Sequence, residues 1–309
     1  MNLAMLFPQK IKDDHQYTNS IEFFQKLLRT GTPCKLEEEY PLVFRSEFKD
    51  RVFIKQINGE IVAGLGTLER LIEIEKDRRI RALFVGSVVT DPQRRLQGFQ
   101  RELFHAVEEY AENEGLDLIV LWSSQLEFYE KLGFELAGMQ ATWMPQSRPK
   151  FDRKNHEVRM SRSRELPLSE NHFRAFCAKT HRVDRSFDEM KHLWRIPKMW
   201  VASTENAYAL LGKGEDFSDV CHEWAGPAEE VLACLDRLYE HEPRMKVMSP
   251  GVLHIEDERN VVSALEARNF ECRLEYLGLI KSLKSKIKMQ DFQPDHLKYP
   301  FFIWGLDSI

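Results

Sequence analysis

Residues 91–103 are Asp91-Pro92-Gln93-Arg94-Arg95-Leu96-Gln97-Gly98-Phe99-Gln100-Arg101-Glu102-Leu103, and this stretch decides the fold. It follows a run rich in β-branched residues, and Pro92 ends that strand because proline has no N–H to donate to a ladder. After Gly98, apolar residues recur on one helix face as far as Tyr110, and the apolar run 116–122 predicts the next strand. The order strand, glycine turn, helix, strand can bind a phosphate at the helix N-terminus.

The residues before this unit predict a helix and a β-meander. Apolar side chains lie at helical spacing over 20–28, behind Ser20 as a capping residue. Asn58-Gly59 separates the apolar runs 52–54 and 61–63. Asn-Gly is the strongest short hairpin signal because both turn residues need positive φ. We therefore expect a hairpin that leads into a strand at 82–90.

A short helix and a strand are predicted after residue 122. Ser124 and Glu127 have capping-box spacing, which predicts a helix that starts there. Gly133 is expected to end that helix in the left-handed conformation. Residues 135–143 then predict the closing strand.

The two segments together resemble the GCN5-related N-acetyltransferase (GNAT) superfamily over roughly residues 1–145. The stretch Arg95–Phe99 matches the family's pyrophosphate signature, Arg/Gln-x-x-Gly-x-Gly/Ala. Phe128-Tyr129 with Gly133-Phe134 matches its Phe-Tyr-x-x-x-Gly-Phe segment, in the family's order. The chain departs from the signature at Gln100, where the family usually has Gly or Ala.

The resemblance implies an acyl-CoA site on this unit. Anionic phosphates are favoured at a helix N-terminus and by guanidinium groups, and in the family the preceding strand hydrogen-bonds the pantetheine arm as an added strand would. An ordinary solvated basic loop is the alternative for the arginines. The cofactor-binding residues implied are Val88, Val89, Thr90, Arg94, Arg95, Gln97, Gly98, Phe99, Gln100, Arg101 and Phe128.

The resemblance also implies a general acid. When an amine attacks the thioester, the leaving thiolate must be protonated, and a phenol with a pKa of about 10 is protonated at neutral pH. Tyr129 is that acid by resemblance, and an aromatic packing residue is the alternative. The family often uses a strand carboxylate as base, but the corresponding strand here has Gly86-Ser87 and no Asp or Glu before Asp91.

The second half of the chain is predicted to repeat the order of helices and strands of the first half, but it lacks both motifs. Only Ala225-Gly226-Pro227 precedes the helix equivalent to that after Gly98, and alignment puts Leu265 in the place of Tyr129. We therefore expect the second unit of the chain to bind no coenzyme A and to form a wall of the acceptor cleft. The predicted elements are helices at 169–179, 186–195, 228–240 and 257–268, and strands at 199–202, 207–212, 220–224, 245–248 and 271–280.

An apolar tail, 299–309, ends the chain. Tandem units of this kind resemble N-myristoyltransferases and some aminoglycoside acetyltransferases, in which the terminal carboxylate can serve as base. We hypothesise that the tail returns to the first unit and places the Ile309 carboxylate, or Asp307, near Tyr129 as a catalytic group. A tail that merely covers core is the alternative.

Composition narrows the function classes. With 43% apolar and 30% charged residues the chain is typical of a soluble globular protein, and 309 residues suit two domains. A net charge of −5 disfavours nucleic acid as a partner. Five cysteines without C-x-x-C disfavour a disulfide framework or a metal site. No secretory signal or membrane span is predicted, so we expect a cytoplasmic protein.

The sequence therefore predicts an α/β protein with an α+β mixed sheet and tandem GNAT-like domains. A catalytic acyl-CoA-binding domain spans 1–150, a degenerate domain 151–285, and a docking tail 286–309. We expect an N-acyltransferase that moves an acyl group from acetyl-CoA or another acyl-CoA to a small-molecule amine, a protein N-terminus or a lysine. A non-catalytic acyl-CoA sensor is the alternative. The acceptor, acyl chain length, base and oligomeric state stay open.

Overall fold

A computed structural model describes residues 8–75, 78–147, 149, 156–179, 182–253, 255–284, 292 and 302–309. The predicted boundary at residue 150 and most of the predicted tail before residue 302 lie outside these ranges. The helices are α1 (Asp14–Leu28), α2 (Leu36–Glu39), α3 (Phe99–Asn113), α4 (Leu126–Glu130), α5 (Glu170–Cys177), α6 (Phe187–Leu193), α7 (Ala228–His241) and α8 (Glu256–Glu266).

Thirteen strands among the described residues form one mixed sheet. The strands are β1 (Gln9–Lys10), β2 (Val52–Ile57), β3 (Glu60–Glu75), β4 (Arg78–Thr90), β5 (Leu118–Leu121), β6 (Glu135–Pro145), β7 (Arg159–Arg162), β8 (Arg182–Val183), β9 (Trp200–Ser203), β10 (Tyr208–Lys213), β11 (Asp216–Ala225), β12 (Lys246–Pro250) and β13 (Phe270–Ser282). The predicted mixed α/β fold is confirmed.

Local turn chemistry explains most of the element boundaries. Asn58 and Gly59 have φ values of 52° and 85°, so the predicted hairpin turn between β2 and β3 is confirmed. The predicted start of the first helix is wrong. Asp13 caps α1 by accepting the Gln16 N–H at 2.8 Å, and Ser20 lies buried within the helix, about two turns further along. The cap is therefore the Asp13 carboxylate and not the Ser20 hydroxyl.

The two halves of the chain exchange their last strands. The sheet order is β1-β2-β3-β4-β5-β13-β6-β12-β11-β10-β9-β7, with β8 beside β3. Strand β13, from the second half, pairs antiparallel with β5, and β6, from the first half, pairs antiparallel with β12. At the centre β6 and β13 pair with each other from Glu135↔Ile280 to Pro145↔Phe270. Neither half therefore completes its sheet without a strand from the other.

Each half keeps the same parallel pair and crossover helix. Strand β4 runs parallel to β5 with α3 between them, and β11 runs parallel to β12 with α7 between them. A helix follows each pair, α4 in the first half and α8 in the second. The repeat predicted from element order is thus a structural repeat.

Two apolar cores lie on opposite faces of the first half's sheet. On one face α3 and α4 cover the sheet with a core that includes Leu103, Phe104 and Tyr129. On the other face α1 and the loop after α2 pack in a core that continues into the second half and into Trp304 of the tail. None of the helices in the described part of the chain is both long and apolar enough to cross a membrane.

A fully buried ionic cluster fastens the tail to the second half. Arg185 donates to both carboxylate oxygens of Glu223 at 2.9 and 2.8 Å and to those of Asp307 at 2.8 and 2.6 Å. The Tyr208 hydroxyl donates to Glu223 at 2.9 Å. Burial raises the pKa of Asp307, although Arg185 opposes this shift. The guanidinium is thus the cation that lets two carboxylates remain buried here.

Replacing Arg185 should destabilise the protein strongly. Arg185→Met leaves two buried carboxylates without their cation, and removing one partner of a buried ion pair costs about 3–5 kcal/mol. Urea unfolding should show this loss. The control Arg237→Met breaks an exposed pair with Glu240 and should cost under about 1 kcal/mol. Adding Glu223→Gln and Asp307→Asn to Arg185→Met should recover part of the stability, and an unchanged midpoint for Arg185→Met would contradict this role.

Candidate acyl-transfer site

Strands β4 and β5 separate at one end. Their register runs from Ala82↔Leu118 to Val85↔Leu121, where β5 ends while β4 continues to Thr90. Over Val89–Thr90, β4 still pairs with β3, but no described strand pairs with its opposite edge. This edge can therefore accept an extended ligand, as an open sheet edge accepts an added strand.

A bulge shapes β4 beside this opening. Gly66 pairs with Gly86 and Gly64 pairs with Val89, so two residues of β4 lie opposite one of β3. Ser87 lies in the bulge with φ at 52°, in the left-handed region. The bulge changes which face the following side chains point to: Val89 packs in the core on the α1 face, and its main chain is the part left for a ligand.

The turn before α3 exposes helix N–H groups. Gly98 is the N-cap of α3 with φ at 85°, and no side chain caps this helix. Helix N-termini leave unpaired N–H groups that attract anions. Phe99 turns its ring into the core at 8% exposure, so only its main chain faces the turn. Gln100, at the position where a small residue was expected, is partly buried.

Three exposed arginines surround this turn. Arg94, Arg95 and Arg101 have no ion-pair partner among the described residues. Arg101 also lines a cavity of about 710 Å³ between α3 and α4, together with Phe128 and Lys131. The turn thus combines cationic side chains with helix N–H groups next to an open groove, and a phosphate-bearing ligand fits both.

Tyr129 follows Phe128, which lines this cavity, and is itself buried in the core under α3 and α4. Its ring is 5% exposed and packs edge-on against Phe104, Phe128 and Phe134, with centroids 5.4, 5.0 and 5.9 Å away. Burial raises the pKa of Tyr129 to about 12, and the Ser123 hydroxyl opposes this shift. The phenol is therefore protonated at every physiological pH.

The predicted capping box before α4 is wrong. Gln125 is the N-cap of α4 without a side-chain bond, and its N–H is bonded to the Ser123 hydroxyl at 3.0 Å. Ser123 follows β5 and interacts with both this N–H and Tyr129. Sequence reasoning missed Ser123 because its neighbour Ser124 has the better capping spacing.

The tail reaches the first half at Gly86. A Cβ at Gly86 would overlap the main-chain oxygen of Ile309, so glycine leaves the space that Ile309 occupies. Gly86 is one residue beyond Val85, the last residue of β4 in register with β5. Ile309 thus lies at the opening and packs on the α1 face of the sheet, whereas Tyr129 lies in the core on the other face. Asp307, the other predicted tail carboxylate, is bound to Arg185 at 1% exposure and is not free to act as a base.

A buried lysine holds the residue before Ile309. The Lys213 ammonium donates to the Ser308 hydroxyl at 2.9 Å, to the Ser308 carbonyl and to the Gly305 carbonyl at 3.0 Å. Burial lowers the pKa of Lys213 to about 8. Together with Arg185, this lysine fixes the path of the tail up to Gly86.

Most of the first half of the chain matches a known protein family. Residues 21–137 match the family model described as "Acetyltransferase (GNAT) domain". This part of the chain is similar to GNAT acetyltransferase domains. The match contains the bulged strand, the turn at Gly98 and Tyr129. The family predicted from the two sequence motifs is thereby confirmed. No curated protein matches the chain.

Solved structures extend the likeness to both halves of the chain. Eis1 from Mycobacterium abscessus has a TM-score of 0.59 at 12% identity, over 90% of this chain and 74% of that chain. A GCN5-related N-acetyltransferase from Kribbella flavida gives 0.61 at 14% identity, over 89% and 71%. Another from Anabaena variabilis gives 0.63 at 12% identity, over 90% and 72%. At these identities the likeness shows the fold.

The second GNAT-like half has an occupied helix N-terminus. The Ala228 N–H at the start of α7 donates to the Asp257 carboxylate at 2.9 Å, and the first turn adds Glu229 and Glu230. The Trp224 indole N–H also donates to the Met248 carbonyl at 2.8 Å, which joins β11 to β12. An anion at the N-terminus of α7 would be repelled by the Asp257 carboxylate. At the N-terminus of α3, by contrast, no side chain caps the N–H groups.

The geometry contains no evident metal centre. Within the described ranges, no three His, Cys, Asp or Glu side chains are grouped so as to hold an ion.

The strand glycine Gly86 was visible in the sequence, and a glycine inside a strand signals the close approach of another chain segment. That signal points to a contact but does not name Ile309 as the partner.

Adding a methyl group at Gly86 should displace the tail. Gly86→Ala overlaps Ile309 without needing a left-handed φ, and overpacking costs about 1–3 kcal/mol. Limited proteolysis and hydrogen exchange should show a more accessible tail at residues 302–309. Deleting Ile309 in the Gly86→Ala background removes the overlap and should restore most of the lost stability. Equal protection of the tail in Gly86→Ala and the parent protein would contradict the contact.

Proposed function

We propose that this protein is an acyl-CoA-dependent N-acyltransferase that uses acetyl-CoA as donor and a primary amine as acceptor. The observation that carries the proposal is the opening between β4 and β5, which lies beside the uncapped N-terminus of α3. An extended thioester ligand with a phosphate at its far end matches these two features together. The GNAT family assignment supports the same activity.

Different groups of the protein would bind the pantetheine arm and the pyrophosphate of the cofactor. Main-chain groups of Val88–Thr90 would bind the pantetheine amides along the free edge of β4. The N–H groups from Gly98 to Arg101 would bind the pyrophosphate, and Arg94 and Arg95 would add positive charge. Phe128 lines the same groove, and Gln97 is exposed directly before Gly98. Gln100 is only partly buried, which leaves room for its side chain to point away from the phosphates.

The transfer needs one proton donor and one proton acceptor. The amine nitrogen attacks the thioester carbonyl carbon, and the carbon–sulfur bond breaks as the tetrahedral intermediate collapses. Tyr129 would protonate the leaving thiolate, because its phenol is neutral and interacts with Ser123, which follows the end of β5. The Ile309 carboxylate would take the proton that the acceptor's ammonium must lose before its nitrogen can attack, since Ile309 lies beside Gly86 at this opening.

The second half would shape the acceptor cleft. It supplies the ionic cluster that positions the tail and has no free helix N-terminus for a second coenzyme A at α7. The proposed acceptor is an amine-bearing small molecule, a protein N-terminus or a lysine. A cytoplasmic location remains a prediction from the sequence.

Acetyl-CoA binding should depend on Gly98. Gly98→Val places a β-branched residue at φ of 85°, which strains the turn and misaligns the helix N–H groups. We expect acetyl-CoA affinity to fall by about tenfold or more in calorimetric titration. The control is Gly31→Val, at φ of 78° and with equally open surroundings, which should leave affinity unchanged. Equal affinities for both variants would remove the turn from the site.

Turnover should depend on the Tyr129 hydroxyl. Tyr129→Phe keeps the aromatic packing and removes the proton donor, so kcat should fall by about 10²–10⁴-fold while acetyl-CoA affinity stays near that of the parent. Because the pKa of Tyr129 is about 12, the parent's rate should show no alkaline decline from this group below pH 11 or so. Unchanged coenzyme A release by Tyr129→Phe would exclude the acid role, and acetyl-CoA binding without turnover in the parent across an amine panel would favour a sensor.

A further inference from the structure

The end of β5 lies level with two glycines on the neighbouring strands. Leu121, the last residue of β5, pairs with β4 on one side and with β13 on the other. The next residue, Trp122, is therefore level with Gly86 of β4 and Gly278 of β13. Because glycine has no side chain, the sheet has a trough at this level, at the start of the opening.

The chain terminus and an indole ring lie in this trough on the same face. Ile309 occupies the space over Gly86 and packs in the core on the α1 face. A Cβ at Gly278 would lie 3.4 Å from the Trp122 ring, which packs against the same core with its centroid 5.6 Å from that of Phe84. Gly86 and Gly278 are two strand spacings apart, or about 10 Å. The terminus and the indole are therefore neighbours on the α1 face.

Beyond the end of β5, β13 forms the far side of the opening. The sheet order places residues 271–276 of β13 across the end of β5 from residues 86–90 of β4. Side chains alternate along a strand, so this segment offers one set of side chains to each face of the sheet. The set on the α1 face continues the surface that begins at Ile309 and Trp122.

Leu274 and Tyr276 belong to the set on the α1 face. They lie opposite Ala141 and Met139 of β6, and side chains directly opposite each other share a face. Ala141 is buried in the core on the α1 face. Leu274 is nevertheless 59% exposed and Tyr276 is 49% exposed. We call these two side chains the apolar wall.

The apolar wall is unusual for the described part of the chain. The only other large apolar side chain that is exposed there is Leu96, in the turn before α3. Two of these three side chains thus lie together at one opening, and clustered exposed apolar groups mark binding sites. The even-numbered residues of 272–278 and the odd-numbered residues of 137–143 opposite them include no Asp, Glu, Lys or Arg. The wall is therefore apolar and uncharged.

The two reactants would approach from opposite faces of the sheet. The turn at Gly98 and the cavity between α3 and α4 lie on the face that these helices cover, and the groups proposed for the coenzyme A phosphates are there. The α1 face of the same opening carries Ile309 and the apolar wall. This face is left for the second reactant.

We propose that the apolar wall binds the acceptor, and that the acceptor is a primary amine carried on an uncharged hydrocarbon body. This inference rests on the proposed function. The ammonium would lie beside the Ile309 carboxylate, and the hydrocarbon would cover Leu274 and Tyr276. A second charge on the body would lose its water against a wall that offers it no ionic partner. Leu274 and Tyr276 thus determine specificity.

A matched pair of amines tests the acceptor class. Hexylamine and 1,6-diaminohexane have the same length and differ in the second ammonium. With acetyl-CoA saturating, we expect kcat/KM to be about tenfold or more higher for hexylamine. Equal values, or a preference for the diamine, would overturn the proposed class.

Shortening the wall tests the residues. Leu274→Ala with Tyr276→Ala should raise the KM for hexylamine by about tenfold while kcat stays within about twofold, because ground-state and transition-state binding are lost equally. Methylamine has no body to cover the wall, so its KM should not change. Glu275→Ala is the control, since Glu275 lies between the two residues and points to the other face. Circular dichroism melting checks that the variants fold, and an unchanged hexylamine KM in the double variant contradicts the role of the wall.

Binding measurements separate this inference from the proposed function. Hexylamine is titrated calorimetrically into the protein saturated with coenzyme A. Binding that is lost in the double variant supports the wall even if no amine is acetylated, and that result would overturn only the transfer reaction. Acetylation of methylamine as efficiently as hexylamine would overturn the wall and leave the transfer reaction standing. Neither binding nor acetylation of hexylamine would also overturn the wall.

Discussion

The antiparallel pairing of β6 with β13 is the constraint on which the other features depend. It joins Glu135–Pro145 of the first half to Phe270–Ile280 of the second, and it inserts each half's last strand into the other half's sheet. The β4–β5 opening, the tail and the second half therefore keep fixed relative positions. Such a pairing buries main-chain groups that would cost free energy if left unpaired. The halves form one continuous sheet, so the tail can reach Gly86 reproducibly.

Much of the first half could be predicted because its signals are local. Asn58-Gly59 strongly favours a turn, and Gly98 can adopt the left-handed φ of 85° found at the start of α3 without a steric cost. The two motifs that contain Gly98 and Tyr129 identified the family from the chain alone. The errors were also local: Asp13 caps α1 in place of Ser20, and Gln125, whose N–H is bonded to Ser123, stands at the N-cap of α4 in place of Ser124. Competing polar side chains a few residues apart cannot be ranked from spacing.

The strand exchange and the tail contacts could not be predicted in the same way. Strands β6 and β13 have similar apolar content, and nothing in either one specifies whether it pairs with β5 or with β12. The ionic cluster joins Arg185, Glu223 and Asp307, which are far apart in sequence and have no shared motif. Gly86 signalled a close approach, but the approaching residue was Ile309, at the far end of the sequence. Non-local pairing decides these features.

The strand exchange has a consequence for biosynthesis. Strand β5 must wait for a partner that lies roughly 160 residues further along the chain, and contacts of such separation slow folding. A ribosome delivers the first half long before β13 emerges, so the nascent chain presents the edge of β5 and the unpartnered β6 to the surroundings. Exposed strand edges of this kind make folding intermediates prone to aggregation. Production of the protein should therefore depend on chaperones and on slow translation more than its final stability suggests.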